Sequence, residues 1–375
     1  MNSPPRIGIL GVGQRGLQHL AALWRLQEAG LAHIAALGDM HGPNLEEEKI
    51  RRFVPEYRQE QIRRYTDSDA LLAEDELDAL YVCLPPNRHD GEVIRAAERG
   101  THLFVEKPMS LDLGEALAME AAIARSGVIA TVGFQQRHDA WHTAMREYLQ
   151  DKRIVMATMV HTSNVENHSV KHTPTEALGG PDSRIWTAYQ DWSGNTVVEA
   201  GIHQTDLMRY WCGEIETVQA RYVPRHPDLI ESEGDNPMAY SVTYTFANGA
   251  VGHLIMSRLA RVLHQEHYMH VLWDHGHLCL EPEGPAAYFY DGPYPPSSRP
   301  ASEVLRHPLK VGNRGEDTLE ISRAFVTAIA QRDPRHIRSS FSDAMRSLAA
   351  VLGANVSAQR KGALVSTDEL LGTPA

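Results

Sequence analysis

Cysteine is scarce in this sequence of 375 residues, and the three that occur, Cys83, Cys212 and Cys279, are far apart. An odd number of distant cysteines argues against a disulfide framework and a thiol zinc site, and it favours a reducing compartment. The sequence also lacks an apolar run of about 18 residues and a charged-then-apolar leader over residues 1–5. We therefore predict neither a membrane span nor a signal peptide, and we expect a cytoplasmic protein.

Basic residues are also fewer than acidic residues. The chain has 36 lysines and arginines against 48 aspartates and glutamates, a formal net charge of −12. Binding to nucleic acid needs a basic surface, so this balance argues against a nucleic-acid partner. Hydrophobic residues make up 42% and charged residues 22% of the chain, as in ordinary globular proteins, and the length suffices for two domains.

A glycine-rich turn near the N-terminus is the most informative motif that is present. The apolar segment 6–10 is followed by Gly11, Gly13 and Gly16, and then by a segment of helical apolar period. A strand, tight turn and helix with G-x-G-x-x-G spacing predict a dinucleotide site, because the N–H groups of the helix N-terminus face the pyrophosphate. The alternative is a glycine-rich turn that binds nothing.

An acidic residue follows the second apolar segment. Asp39 stands about 20 residues beyond the glycines, where a carboxylate accepts hydrogen bonds from the adenosine ribose. The next three residues, Met40, His41 and Gly42, include no lysine or arginine that could bind a 2′-phosphate. The segment therefore favours NAD over NADP.

The pattern of predicted elements changes near residue 133. Over residues 1–133, strands and helices alternate, which predicts a parallel, doubly wound α/β sheet. Over residues 134–375, strands follow one another between helices, with Asn248-Gly249 as a hairpin turn, so we predict an α+β domain on a large open, mostly antiparallel sheet. Helices are predicted over 198–211, 317–331 and 342–358.

Two further strand ends carry candidate binding residues, because ligands of open α/β sheets lie at the carboxyl ends of the strands. Residues 84–89 contain two consecutive prolines, which stiffen the turn and suit a wall against a flat ring. Glu106, Lys107 and Pro108 follow the next apolar segment, and a lysine held there is a candidate catalytic group. The alternatives are an ordinary strand stop and a surface lysine.

Glu199, His203 and Asp206 are spaced i, i+4, i+7 in a predicted helix, which places them on one face. Carboxylates beside an imidazole fix its tautomer and favour its charged form, so His203 suits a general base. The alternative is a solvated helix face with an incidental histidine.

Together these motifs resemble the glucose–fructose oxidoreductase/inositol dehydrogenase (Gfo/Idh/MocA) family, over nearly the whole chain. The resemblance rests on residues 6–16, Asp39, 85–89, 106–108 and 201–206. It implies an N-terminal Rossmann domain and a C-terminal domain whose open sheet often mediates dimers or tetramers. It also implies a nicotinamide cofactor and a carbohydrate, polyol or related substrate. We therefore predict an NAD-dependent oxidoreductase that forms a homodimer or homotetramer.

The resemblance also implies residue roles: Lys107 matches the family's catalytic lysine, often followed by a cis proline, and His203 matches its acid/base. Glu199 stands where the family frequently has aspartate, which changes the expected side-chain length. The predicted cofactor contacts are Gly11, Gly13, Gln14, Arg15, Gly16, Asp39, Pro85, Asn87, His89, Glu106, Lys107 and Gln135.

The polar segment 161–172 predicts a substrate-binding loop, with an ordinary surface loop as the alternative. Its His168 and His172 have the i, i+4 spacing of metal ligands, but Pro174 disfavours a helix there, so we predict no metal. The predicted substrate contacts are His168, Arg184, Trp186, Glu199, Asp206, Lys107 and His203, and Trp192 extends a stacking surface.

The predicted reaction is hydride transfer between the cofactor and a hydroxyl-bearing carbon of a sugar, sugar derivative or cyclitol. His203 removes the hydroxyl proton, and Lys107 stabilises negative charge on the same oxygen. One alternative is a glycosidase that oxidises transiently, eliminates the aglycone and re-reduces, with the same two residues. Another alternative is a non-catalytic NAD-binding protein, but the presence of both Lys107 and His203 argues against it.

Overall fold

The computed structural model describes residues 3–74, 76–164, 185–226, 234–259, 267–290, 304–312 and 314–372. By its contacts the chain divides into two compact units. Unit 1 comprises residues 1–135, 167–195 and 316–345, and unit 2 comprises 136–166, 196–315 and 346–375. In the described parts, no helix is both long and apolar enough to span a membrane.

The strands, in chain order, are β1 (Arg6–Leu10), β2 (His33–Gly38), β3 (Arg63–Tyr65), β4 (Ala79–Val82), β5 (His102–Val105), β6 (Ala130–Val132), β7 (Ile154–Asn164), β8 (Ile215–Val223), β9 (Ala239–Phe246), β10 (Val251–Leu259), β11 (His267–Trp273), β12 (Gly276–Glu281), β13 (Gly284–Phe289), β14 (Leu305–Pro308) and β15 (Val365–Ser366).

The helices are α1 (Gln14–Glu28), α2 (Glu47–Arg51), α3 (Ser68–Glu74), α4 (Glu92–Glu98), α5 (Leu113–Ser126), α6 (Ala140–Leu149), α7 (Gln190–Ser193), α8 (Thr196–Glu199), α9 (Gly201–Cys212), α10 (Asp317–Gln331), α11 (Phe341–Gln359) and α12 (Thr367–Leu371). Short 3-10 turns span Gly42–Leu45, Gln59–Gln61, Pro86–Arg88, Gln135–His138, Ile185–Ala188 and Pro334–His336.

Unit 1 is built on a six-stranded sheet in the order β3-β2-β1-β4-β5-β6. Every neighbouring pair in it is parallel. The strands inside the sheet are mostly apolar because helices cover both faces of a parallel sheet, and β4 is buried along its whole length. The edge strand β3 is polar and largely exposed. This is the Rossmann order, and the predicted doubly wound fold is confirmed.

Helix α10 belongs to the core of unit 1, although it lies almost 200 residues after β6 in the chain. Its Phe325 meets the rings of Tyr81 and Phe104 edge-on, with centroids 5.6 and 5.7 Å apart. The division into domains 1–133 and 134–375 stays a prediction, since the continuous part of unit 1 ends at residue 135 and residues 316–345 also belong to that unit. The division of roles between a cofactor domain and a substrate domain stays a prediction.

Unit 2 is built on a nine-stranded sheet in the order β14-β13-β12-β11-β7-β10-β9-β8-β15. Strands β7 and β10 are parallel, and the other neighbours are antiparallel, as predicted. The hairpin between β9 and β10 turns at Gly249, whose φ of +84° is the left-handed region that this turn requires.

The predicted helix over 198–211 is interrupted at Ala200, which separates α8 from α9. The interruption falls where the chain presses on β10, because a Cβ on Gly201 would lie 2.9 Å from Sδ of Met256. Farther along α9, the Thr205 hydroxyl bonds the Tyr244 hydroxyl on β9 at 2.8 Å. Helix α9 is thus fixed on one face of the sheet of unit 2.

Candidate active site

The glycine turn of unit 1 has the geometry that its spacing predicts. Gly11 has a φ of +91°, and a Cβ there would lie 2.6 Å from the Cys83 carbonyl oxygen. A Cβ on Gly16 would lie 1.9 Å from the Gly11 carbonyl oxygen. Helix α1 can therefore pack against the turn only with hydrogen atoms at these two positions.

Gly13 differs from its neighbours, because it precedes α1 with a φ of −75° and a Cβ there would meet nothing within 4 Å. The glycine is therefore not required by the packing of the chain on itself. Space is open beside the N-terminus of α1, where Gln14 and Arg15 begin the helix. A pyrophosphate fits such a place, since N–H groups and the helix dipole favour an anion.

Asp39 lies at the carboxyl end of β2 and is 8% exposed. Its carboxylate accepts hydrogen bonds from the backbone N–H groups of Val12 at 2.7 Å and His41 at 2.8 Å, and from Nδ2 of Asn44 at 3.0 Å. A carboxylate offers about four lone-pair positions, so a site for a ribose hydroxyl remains. Through its bond to the N–H of Val12, Asp39 also stabilises the glycine turn, a role that the sequence did not indicate.

Behind Asp39, the buried ammonium of Lys49 donates to Oδ1 of Asn44 at 2.8 Å. This orients the Asn44 amide so that its nitrogen faces Asp39. Asn44 and Lys49 were missed by sequence reasoning, because nothing in their spacing marks them as partners of the acid.

At the second strand end, Pro85 precedes the 3-10 turn Pro86–Arg88, which carries Asn87. Oδ1 of Asn87 is buried and has no hydrogen-bond partner among the described residues, as expected of a group that meets a ligand. Nδ1 of His89 bonds Glu92, and the His89 side chain is only 2% exposed. His89 therefore stabilises the start of α4, and its contact with the cofactor stays a prediction.

Glu106 and Lys107 follow β5, and the Glu106 carboxylate is the centre of a buried network. Oε1 accepts from Nε of Arg15 at 2.8 Å and from Nε2 of His19 at 2.6 Å. Oε2 accepts the backbone N–H of Lys107 at 3.1 Å. A Cβ on Gly133 would lie 2.6 Å from Oε1, so that glycine makes room for the carboxylate.

The network sets the protonation of its members. Burial alone would raise the pKa of Glu106, but the Arg15 charge and the hydrogen bonds from His19 and Arg15 hold it well below its usual range. Burial and the Arg15 charge lower the pKa of His19. A neutral imidazole beside an ionised carboxylate must donate from Nε2, because the carboxylate only accepts.

Two predicted cofactor contacts, Arg15 and Glu106, belong to this network. Their side chains bind each other, the backbone N–H of Arg15 lies at the start of α1, and the contacts of both residues with the cofactor stay predictions. His19, which sequence reasoning missed, stands three residues beyond Gly16, on the helix that begins at the glycine turn. Its spacing from the motif is the signal that could have drawn attention to it.

Lys107 itself is half-buried, and the Lys107–Pro108 peptide bond is cis, as the resemblance implied. Gln135, the last predicted cofactor contact, begins a 3-10 turn, and its Oε1 is buried without a hydrogen-bond partner in the described parts of the chain. Unit 1 therefore provides an open anion site and unsatisfied amide oxygens of Asn87 and Gln135, which fit a dinucleotide.

In unit 2, half-buried His203 lies in the first turn of α9, and Glu199 ends α8. Oε2 of Glu199 stands 3.7 Å from Nη2 of Arg258, a partly buried ion pair. Arg258 lies at the end of β10 and was not predicted. The positive charge of Arg258 partly offsets the negative charge of Glu199. Glu199 therefore differs from the unpaired carboxylate that the sequence predicted beside His203.

Asp206 is only 2% exposed, and both its oxygens accept hydrogen bonds within unit 2. Nε and Nη2 of Arg137 bind it at 2.8 and 2.6 Å, and the Ser347 hydroxyl donates to Oδ1 at 2.8 Å. The interruption at Ala200 separates Glu199, at the end of α8, from His203 and Asp206 on α9. The bonds to Arg137 and Ser347 anchor α9, and the contact of Asp206 with substrate stays a prediction.

Unit 2 also contains two histidines on neighbouring strands whose rings are in contact. His161 of β7 meets His267 of β11 at a centroid distance of 4.3 Å, edge-on. Burial, with His267 and Arg258 nearby, lowers the pKa of His161 to about 4. His161 is therefore neutral near neutral pH and offers a hydrogen-bonding group rather than a charge.

Other predicted substrate contacts lie outside the described residues: His168 and Arg184 wholly, and Trp186 in its side chain. Trp192 is described, is 41% exposed, and packs against Tyr189 at a centroid distance of 5.1 Å. An exposed indole in unit 1 is compatible with the predicted stacking surface.

Two family models match the chain. Residues 5–134 match the oxidoreductase family with an NAD-binding Rossmann fold, and residues 142–278 match the GFO/IDH/MocA C-terminal domain. Together the two segments make up most of the chain, and they correspond to the continuous part of unit 1 and to much of unit 2.

Curated relatives are similar over about two thirds of the chain. The myo-inositol 2-dehydrogenase of Thermotoga maritima is 28% identical over 256 residues, which are 68% of this chain and 69% of the relative. The scyllo-inositol 2-dehydrogenase (NAD(+)) of Bacillus subtilis is 28% identical over 261 residues, 69% of this chain and 68% of the relative.

Solved structures share the fold over nearly the whole length. A levoglucosan dehydrogenase in complex with NADH and levoglucosan has a TM-score of 0.77 at 19% identity, and the match covers 97% of this chain and 99% of that one. The WlbA dehydrogenase from Bordetella pertussis, in complex with NADH and UDP-GlcNAcA, has a TM-score of 0.71 at 19% identity, with 97% and 98% covered.

Proposed function

Because the chain belongs to the Gfo/Idh/MocA family of NAD-dependent oxidoreductases, we propose that it transfers a hydride between NAD and a hydroxyl-bearing carbon of a sugar, sugar derivative or cyclitol. The observation that carries the proposal is the Glu106 network, which fixes the backbone of Lys107 at the end of β5. The same network ties this strand end to the helix that follows the glycine turn.

NAD is the cofactor, and the residues that would hold it belong to unit 1. Gly13 with the N-terminus of α1 would bind the pyrophosphate, Asp39 the adenosine ribose, and the amide oxygens of Asn87 and Gln135 would accept hydrogen bonds. When bound, NAD supplies the acceptor of the hydride. Asp39 keeps a negative charge where a 2′-phosphate would lie, which supports NAD rather than NADP.

We assign Lys107 and His203 the catalytic roles. The Lys107 ammonium donates a hydrogen bond to the reacting oxygen and stabilises the negative charge that develops on it. His203 accepts the proton of the hydroxyl group as a general base, and it returns the proton in the reverse reaction. Glu199, paired with Arg258, is assigned to orient the substrate, and Arg137 and Asp206 hold the helix that carries His203.

The substrate class is proposed from the chemistry of the relatives. The two curated relatives described above are named for inositols, and levoglucosan is an anhydrosugar. These are rigid polyhydroxylated rings whose secondary hydroxyl groups present the C–H and O–H bonds that such a site oxidises. His168, Arg184 and Trp186 remain proposed substrate contacts on this basis.

The experiment that tests the function uses NAD with a panel of free sugars, sugar acids, cyclitols and aryl glycosides. NADH absorbance and released aglycone are recorded together. We expect sustained NADH formation with a free sugar or cyclitol. Aglycone release without net NADH would identify the redox-assisted glycosidase instead, and no response in either channel would contradict both enzymes and favour a non-catalytic NAD-binding protein.

We also propose a cytoplasmic homodimer or homotetramer. None of the three cysteines, all of which are described, forms a disulfide bond. Ile255 and Tyr268 are each 44% exposed, and both are in register with Val160 between them, so they share one face of the nine-stranded sheet. Apolar side chains exposed on one sheet face are suited to self-association.

A further inference from the structure

A cluster of metal-ligating side chains lies on the hairpin of β11 and β12, and the proposed reaction does not use it. His270 stands directly opposite Cys279 in the antiparallel register. His277 lies two residues before Cys279 on β12, so the three side chains project from the same sheet face. One ligand atom from each lies within 4.8 Å of the others.

We propose that His270, His277 and Cys279 form a site for a divalent transition metal, with Zn²⁺ as the ion it fits. Zinc takes imidazole nitrogen at about 2.0–2.1 Å and thiolate sulfur at about 2.3 Å, so its ligand atoms stand about 3.3–3.7 Å apart. The ligand atoms lie within 4.8 Å of one another, so side-chain rotations that move them by about 1 Å would bring them to this spacing. Two imidazoles and a thiolate leave one position for water.

The neighbouring groups pack against both imidazoles. Nε2 of His270 is buried and has no hydrogen-bond partner among the described residues, which is costly unless a ligand satisfies it. The His270 and His277 rings meet edge-on at 4.8 Å. Tyr288, opposite His277 on β13, stacks on that imidazole at 4.9 Å with 12° between the planes.

Protonation also suits a metal at the two imidazoles. Burial lowers the pKa of His277, and burial with the neighbouring His277 lowers that of His270. Burial and Glu281 raise the pKa of the Cys279 thiol. Metal binding must therefore displace the thiol proton: the S–H bond breaks, the sulfur–metal bond forms, and one proton is released per ion bound.

The scarcity of cysteine argued against a zinc site made of thiolates. It does not argue against a site in which histidines provide most of the ligands. Here one thiolate is combined with two imidazoles, His277 from the same strand and His270 from the adjacent strand. The spacing of His270, His277 and Cys279 follows from the hairpin, in which a two-residue turn brings the strands together. It does not follow a helical or C-x-x-C pattern, so the sequence alone gives no sign of it.

The test uses the tag-free full chain, stripped with chelator and titrated with Zn²⁺ by calorimetry and with Co²⁺ by absorbance. We expect one ion per chain, with a near-ultraviolet thiolate-to-cobalt band. His270→Gln, His277→Gln and Cys279→Ser should each weaken binding by at least about tenfold, the cost of losing even an outer partner of a metal site. Cys279→Ser should abolish the band.

His275→Gln is the matched control, because this exposed histidine lies on the turn of the same hairpin. It should leave both titrations unchanged, and circular dichroism verifies that each variant folds. Since the cluster shares the face proposed for self-association, the oligomeric state is recorded with and without metal. Zinc binding that is absent, that survives all three substitutions, or that gives no thiolate band with Co²⁺ overturns the proposal.

Discussion

Glu106 shows how a single carboxylate connects distant parts of unit 1. Its partners Arg15 and His19 precede it by 91 and 87 positions, and it also binds the N–H of the next residue, Lys107. A buried charge is tolerated only when it is paired and hydrogen-bonded. The sequence motif marks Glu106 and Lys107 as neighbours of the cofactor, but only the fold reveals what orients them.

Replacing Glu106 with glutamine should lower the free energy of unfolding by about 3 kcal/mol, because Arg15 is left without its buried counter-charge. Chemical unfolding at neutral pH measures the loss. The matched control is Glu98→Gln, which removes an exposed acid 3.8 Å from Arg125 and should change stability by about 1 kcal/mol or less. Equal losses in the two variants would mean that the network does not stabilise unit 1.

His142 predicts a pH dependence in unit 2. It is 2% exposed and packs on Trp211, and burial lowers its pKa from 6.5 to about 4. Since the folded-state pKa lies below the unfolded value, the unfolded chain binds the proton first. Its contribution to stability is therefore lost as the pH falls from about 6.5 towards about 4.

His142→Gln removes this titration. Between about pH 7 and about pH 5, the wild type should lose about 2 kcal/mol more stability than the variant. Urea unfolding across this range measures the difference in slope, which is separate from any constant packing loss. His336→Gln, in an exposed 3-10 turn, should follow the wild type; a His142→Gln profile parallel to the wild type would refute the assignment.

Most of the helices and strands were predicted from local sequence signals. The alternation of strands and helices, the glycine turn and the Asn248-Gly249 hairpin each depend on residues that are close in sequence, and the structure confirms them. Helix α10 was predicted at its observed bounds. Its packing in the core of unit 1 was not predicted, because the apolar face of a helix does not identify the hydrophobic core in which the helix is buried.

The interruption at Ala200 was missed for a related reason. The apolar period runs through residues 198–211, so a single helix is the local expectation. The interruption coincides with the close approach of the Gly201 backbone to Met256 on β10, a contact between positions far apart in sequence. Farther along α9, Asp206 is buried and Arg137 binds it.

Helix α1 provides a direct test of the cofactor site at this scale. Gly13→Ala should leave the stability of the protein unchanged, because the added Cβ meets nothing within 4 Å and φ is −75°. It should weaken NAD binding by about tenfold or more, since the methyl group occupies the place of the pyrophosphate. Calorimetric titration with NAD measures the effect.

Gly312→Ala is the control for Gly13→Ala, because a Cβ at this residue of unit 2 reaches only Ala140, at 3.8 Å. It should bind NAD as the wild type does. Unchanged NAD affinity in Gly13→Ala would show that the pyrophosphate does not lie against this glycine.

For the whole molecule, the proposed assembly places the open face of the nine-stranded sheet between copies. Ile255→Lys introduces a charge at its exposed centre and should shift the protein towards monomer in size-exclusion chromatography with light scattering. Leu364→Lys replaces a residue that is 65% exposed outside the sheet strands and should leave the mass unchanged. An unaltered mass for Ile255→Lys would exclude this face.

The central claim is that Lys107 stabilises the oxygen of a hydroxyl group undergoing oxidation by NAD. Lys107→Met is measured with the best substrate of the panel, following NADH formation, and NAD binding is measured on the same protein by calorimetry. We predict that NAD affinity is retained and that kcat falls by about 100-fold to 1,000-fold, the cost of removing one donor to a developing oxyanion. Retained turnover in a variant that binds NAD normally would contradict the account.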